Sequence, residues 1–108
     1  MTGTSEAERT YHRDYIRVWV KKNPMRVLRI EWKRKGMNPD EAQRMYESKS
    51  SCDICGTSVE GKKKHVDHNH KTGQVRGILC DKCNLGIGLF NENPEILINA
   101  TSYLSGVI

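Results

Sequence analysis

A chain of 108 residues, 36% hydrophobic and 29% charged, with a single Phe, builds one domain's worth of modest core, and a metal staple would matter to its stability. Its opening, MTGTSEAERT, has no apolar secretion signal, and no apolar run approaches the roughly 18 residues of a membrane span. Secreted and membrane-spanning classes are thereby set aside, and a soluble cytoplasmic protein with no membrane partner is expected. The net charge of +5 is carried entirely by residues 1–50, which hold 12 Lys/Arg against 7 Asp/Glu, whereas residues 51–108 hold 6 against 6. Within residues 9–35 the balance is 10 to 2, the electrostatic footprint of a polyanion-binding region or, more blandly, a solvated helical face.

In chain order, helices are predicted near 5–22, 24–35, 39–49 and 94–105. Each of the last three starts at an Asn-Pro pair (Asn23-Pro24, Asn38-Pro39, Asn93-Pro94), because Asn caps a helix and Pro suits its first turn. Asp40 and Glu41 add acidic residues to the first turn of the third, with Glu41 at the capping-box position. In the first helix Tyr11, Tyr15, Val18 and Trp19 form an apolar side expected to pack in a core, opposite a basic row of Arg13, Arg17 and Lys21. Two domains follow from this division: a basic helical region over 1–50 and a cysteine-stapled module over 51–108.

Between the cysteine pairs, alternation over Lys64 to His68, a turn at Lys71-Thr72-Gly73 and renewed apolar residues from Gln74 to Leu79 predict a hairpin. Leu85, Ile87, Leu89 and Phe90 predict a short helix after Asp81. The whole reads as a small α+β fold, a zinc-stapled ββα unit flanked by helices. Lys62, Lys63 and Lys64 either extend the basic surface or make a solvated turn.

Cys52-x2-Cys55 and Cys80-x2-Cys83, with 24 residues between the pairs, have the form of a four-thiolate zinc site, and reducing cytosol favours metal thiolates over disulfides. A rival set joins Cys52 and Cys55 to His65 and His70, but it spans only nine residues between Cys55 and His65 and leaves Cys80 and Cys83 without a role. With zinc on the four thiols, His65, Asp67, His68, His70 and Asn84 remain. On a strand His65 and Asp67 share one face and His68 takes the other, and Asn84, directly after Cys83, is brought toward Asp67. An Asp carboxylate and an Asn carbonyl suit Mg2+ or Mn2+, and a neighbouring histidine suits a general base, which is the donor set of a metal-dependent phosphodiesterase.

The segments CDIC, HVDHNH and GQVRGILCDKCN resemble the recombination endonuclease VII family within the HNH, or ββα-metal, nucleases, over Cys52 to Tyr103. The resemblance implies that Asp67 and Asn84 bind a catalytic Mg2+ or Mn2+, that His68 is the general base, and that His65 and His70 position the phosphate or orient the motif. It implies DNA as substrate, duplex or branched, cut to 5′-phosphate and 3′-hydroxyl ends, and a phage-type gene acting in bacterial cytoplasm; the N-terminal helices offer a surface through which a homodimer could form. Some relatives carry an acidic residue where this chain has Ile87, and those that resolve junctions have a longer C-terminal part. The alternative is a zinc-containing DNA-binding or adaptor module without catalysis.

Overall fold

The structure is a computed structural model that describes residues 5–106. Helices α1 (Glu6–Lys22), α2 (Pro24–Arg34) and α3 (Pro39–Ser48) precede strands β1 (His65–His68) and β2 (Val75–Leu79), followed by α4 (Asp81–Leu89) and α5 (Pro94–Ser105). These bounds match the predicted elements to within about a turn, and no helix is long and apolar enough to cross a membrane among the described residues. Asn38 accepts from the N–H groups of Asp40 and Glu41, and Asn93 from those of Glu95 and Ile96, as N-caps should. Asn23 also precedes α2, and its carbonyl accepts from the Val27 N–H at 3.1 Å, but its side chain departs from the pattern: the amide donates to the Trp19 carbonyl at 2.8 Å and closes the end of α1.

One core joins the helices to the hairpin. Trp32, Met37 and Ala42 from the α2–α3 pair pack with Val59, Val66, Ile78, Leu79 and the thiols of Cys52 and Cys80. Arg29 ties α2 to α3 through Asp40 and Gln43, both at 2.7 Å, and Lys64 lies 4.3 Å above the Tyr46 ring. Helix α1 is different: it buries no residue, and Tyr11 and Tyr15 are 75% and 60% exposed. The expected core role of its aromatic side is therefore corrected. Periodicity shows that a face is apolar, whereas burial needs a partner surface, and the packing of α1 on α2 leaves none of its described residues buried. The projecting helix helps to make the molecule elongated, 64 × 34 × 26 Å, with a radius of gyration of 18.7 Å where a compact chain of this length has about 13 Å.

The strands pair antiparallel, with His65 opposite Leu79, Val66 opposite Ile78 and Asp67 opposite Gly77; then the register slips, so that His68 faces Val75 and Arg76 is the extra residue of a bulge. Val66 and His68 turn to the core while His65 and Asp67 share the other face, as alternation predicted. The first cysteine knuckle is bonded to β2 by the backbone pair Asp53 N–H to Ile78 carbonyl and by Ile78 N–H to the Asp53 carboxylate, each 2.8 Å. That carboxylate also accepts from Lys49, and the two donors, Lys49 foremost, hold its pKa below the usual carboxylate range. It lies so close to Gly77 that an added Cβ would meet its oxygen at 2.3 Å. Gly77→Ala is expected to lower unfolding stability by about 1–3 kcal/mol, because the carboxylate must either clash or leave its donors. Thermal unfolding of the zinc-loaded variant checks this; an unchanged melting point would show that the knuckle adjusts freely.

Candidate active site and metal centre

The four thiols converge from two places. Cys52 and Cys55 lie on the turn before the hairpin, where Cys52 N–H reaches the Thr57 carbonyl at 2.8 Å and Gly56 N–H reaches the Cys52 carbonyl at 2.9 Å. Cys80 caps α4 and Cys83 sits in its first turn, with the Cys83 N–H 3.4 Å from the Cys80 sulfur and the Ile54 N–H 3.4 Å from the Cys52 sulfur. All four sulfurs lie within 4.8 Å of one another, and Cys55 and Cys80 are 3.8 Å apart. A tetrahedron with zinc–sulfur bonds of about 2.3 Å has edges of about 3.8 Å, so the donor set and its spacing fit zinc. Burial raises the Cys52 thiol, but N–H groups of Cys55, Cys80 and Ile54 outweigh it and bring it down to about 6. Burial first, and then its thiol neighbours, push Cys83 up to about 12. Four thiols in this space ionise together only around a cation.

The rival set with two histidines does not assemble. His65 bonds through Nε2 to Asp81, the first residue of α4, and His70 Nε2 lies 3.0 Å from Glu92, so the sulfur cluster is all thiol. His65 thereby ties β1 to the helix that carries Cys83 and is capped by Cys80.

His65, Asp67, His68, His70 and Asn84 all line one cleft of about 520 Å³, whose other walls include Lys35, Lys62 and Lys64. Each arrives by a different route: Asp67 from the outer face of β1, His68 from its inner face, His70 from the turn and Asn84 from α4. His68 is only 8% exposed and its ring stacks on that of His70, centroids 4.5 Å apart. Burial, and then the neighbouring His70, hold its pKa below the usual histidine value, so it is neutral, and able to accept a proton, at neutral pH. Asn84 is exposed and adjoins Asp67 along the cleft and along the groove beneath α4.

Two neighbours were missed from sequence. Arg76 clamps Asp67 with two bonds, Nε to Oδ2 at 2.8 Å and Nη2 to Oδ1 at 3.1 Å, and also bonds to Glu92. Asp67, His70 and Glu92 bring ligand atoms within 4.8 Å of one another. Strand alternation places Arg76 on the His68 side; only the bulge turns it toward Asp67. Glu92 carries no local signal at all, since it follows α4 in a turn where Asn91 and Glu92 both have positive φ, 55° and 53°.

A hairpin and helix that meet at a four-thiol cluster able to hold a zinc ion, beside a cleft of imidazole, carboxylate and amide groups, define a small α+β protein. The chain belongs to the recombination endonuclease VII family, whose model matches residues 28–106. It is 42% identical over 73 residues to the Gene 59 proteins of Mycobacterium phages L5 and D29, a match that covers 64% of this chain and 44% of each relative. The chain thus spans less than half the length of these curated relatives. No solved structure matches it.

Proposed function

We propose that the chain is a metal-dependent DNA endonuclease with an HNH, or ββα-metal, core, hydrolysing phosphodiesters to 5′-phosphate and 3′-hydroxyl ends. The observation that carries this reading is the convergence of Asp67, His68, His70 and Asn84 on one cleft, beside the four-thiol cluster, in a member of an endonuclease family. Asp67 and Asn84 are hard oxygen donors that would hold Mg2+ or Mn2+, and the ion would supply neutralisation of charge on the phosphate and on the leaving oxygen. His68 takes a proton from water, whose oxygen attacks phosphorus in line as the bond to the 3′ oxygen breaks, and the leaving 3′ oxygen takes up a proton from solvent water to become the hydroxyl. His70 orients His68 by stacking, and His65 holds the hairpin to α4 through Asp81. Zinc on Cys52, Cys55, Cys80 and Cys83 is structural, since four thiolates leave no open position.

The basic region over 1–50 supplies phosphate contacts and a surface for a homodimer, while 51–108 carries the chemistry; such contacts make affinity fall steeply with salt. Similarity to phage proteins favours a phage gene acting in bacterial cytoplasm on duplex or branched DNA, by nicking or by junction cleavage. The second reading is a zinc-containing DNA-binding or adaptor module without catalysis, favoured by one observation: Arg76 occupies both oxygens of Asp67. Supercoiled plasmid incubated with the protein separates the two. Nicking is expected in Mg2+ or Mn2+ and none in EDTA; a zinc-loaded protein inert on plasmid and on four-way junctions in every metal would establish the binding module.

A further inference from the structure

Arg76 is bonded to Asp67, which lines the cleft, and to Glu92, which lines the adjoining groove, and its placement there is built by several independent features. The bulge removes it from the ladder and turns it across the strand. Asp67, only 11% exposed in its side chain, receives the guanidinium fork on both oxygens, the strongest geometry such a pair can adopt. Glu92 receives a third bond from the same guanidinium, while its other oxygen faces His70. The Glu92 backbone is itself held in a left-handed turn, unfavourable for two successive L residues, and fastened by its N–H to the Ile87 carbonyl at 2.8 Å. Paired carboxylates and a histidine are spaced as a cation would require, and the positive charge among them belongs to the protein.

We propose that Arg76 is a resident counter-ion and positioning residue: it competes with a divalent cation for Asp67, and Glu92 keeps it tethered at the cleft when the cation takes its place. This rests on the reading of the cleft as a divalent-cation site. The physical reason is charge exclusion, since a +1 group bonded to both oxygens must withdraw before a +2 ion can use them, and its withdrawal subtracts from the affinity of the free protein. Tethering by Glu92 leaves the guanidinium beside the place where a phosphate would lie, so it exchanges one anion for another without leaving the site.

Calorimetric titration of Mn2+ into the zinc-loaded full chain, without DNA, tests the competition. Arg76→Ala is expected to bind Mn2+ about tenfold tighter than the natural chain, the equivalent of one charge-assisted pair no longer opposed. Arg76→Lys, which keeps the charge but loses the fork, should fall between the two. A lost structural contact would weaken or leave unchanged the Mn2+ affinity, so an increase is a readout that a purely structural role cannot produce. Zinc content and melting temperature confirm that each variant is folded, and should Arg76→Ala fail that check, Arg76→Gln replaces it. Unchanged or weaker Mn2+ binding in a folded neutral variant overturns the proposal, as does Arg76→Lys binding Mn2+ as tightly as Arg76→Ala, which would show that a positive charge at this position opposes nothing. Absence of Mn2+ binding in the natural chain and the variants also overturns it. A natural chain that binds Mn2+ yet leaves DNA intact would sink the nuclease reading and leave the Arg76 competition standing.

Discussion

His68→Ala is expected to reduce DNA cleavage by about 10²–10⁴-fold, the usual contribution of a general base, with zinc still bound. The residue has the attributes that role needs. It lines the cleft with Asp67 and Asn84, yet sits on the core face of β1, where burial and the stacked His70 keep it unprotonated. A base is active when neutral, so cleavage should be lost only as pH falls through its depressed pKa, on the acid side of the usual histidine value. The acid limb of the pH–rate profile should accordingly lie to the acid side of that value and be missing from whatever activity the variant retains. Because truncation also removes a buried ring, some loss of stability is expected, and His68→Gln, which refills most of the space, separates packing from chemistry. A folded His68→Ala protein that nicks plasmid as fast as the natural chain would place the base elsewhere.

Removal of zinc should unfold the domain. Cys52 and Cys80 belong to the same buried cluster as Ile78, Val66 and Trp32, so the four-thiol cluster is a wall of the core and not an appendage. Structural zinc contributes about 10–16 kcal/mol of apparent binding energy near neutral pH, comparable with the entire stability of about 5–15 kcal/mol typical of a domain. Without a cation, burial and the neighbouring thiols oppose ionisation of Cys83, so the four sulfurs cannot all be thiolates and the link they give between α4 and the first knuckle is lost. Chelation, or Cys80→Ser, should therefore abolish cooperative thermal unfolding followed by circular dichroism. Substitution by Co2+ should restore it with the absorption of tetrahedral thiolate coordination. A chelated protein with unchanged helix content and melting point would show that the α2–α3 pair and the hairpin suffice by themselves.

Sequence by itself determined the features whose causes are local. Asn38-Pro39 and Asn93-Pro94 start helices because cap and first turn are adjacent in the chain; the two cysteine knuckles and the alternation of Val66 and His68 against Asp67 are equally short-range. Asn23 escaped that logic because two helix ends compete for one side chain, and the end of α1 took it. The fate of Tyr11 and Tyr15 depended on whether any surface lay opposite α1, which periodicity cannot reveal. Only the tertiary structure decided the company Asp67 keeps. One extra residue in β2 turned Arg76 across the strand, and the left-handed turn after α4 carried Glu92 to meet it, long-range consequences of register and chain reversal that no single stretch of sequence encodes.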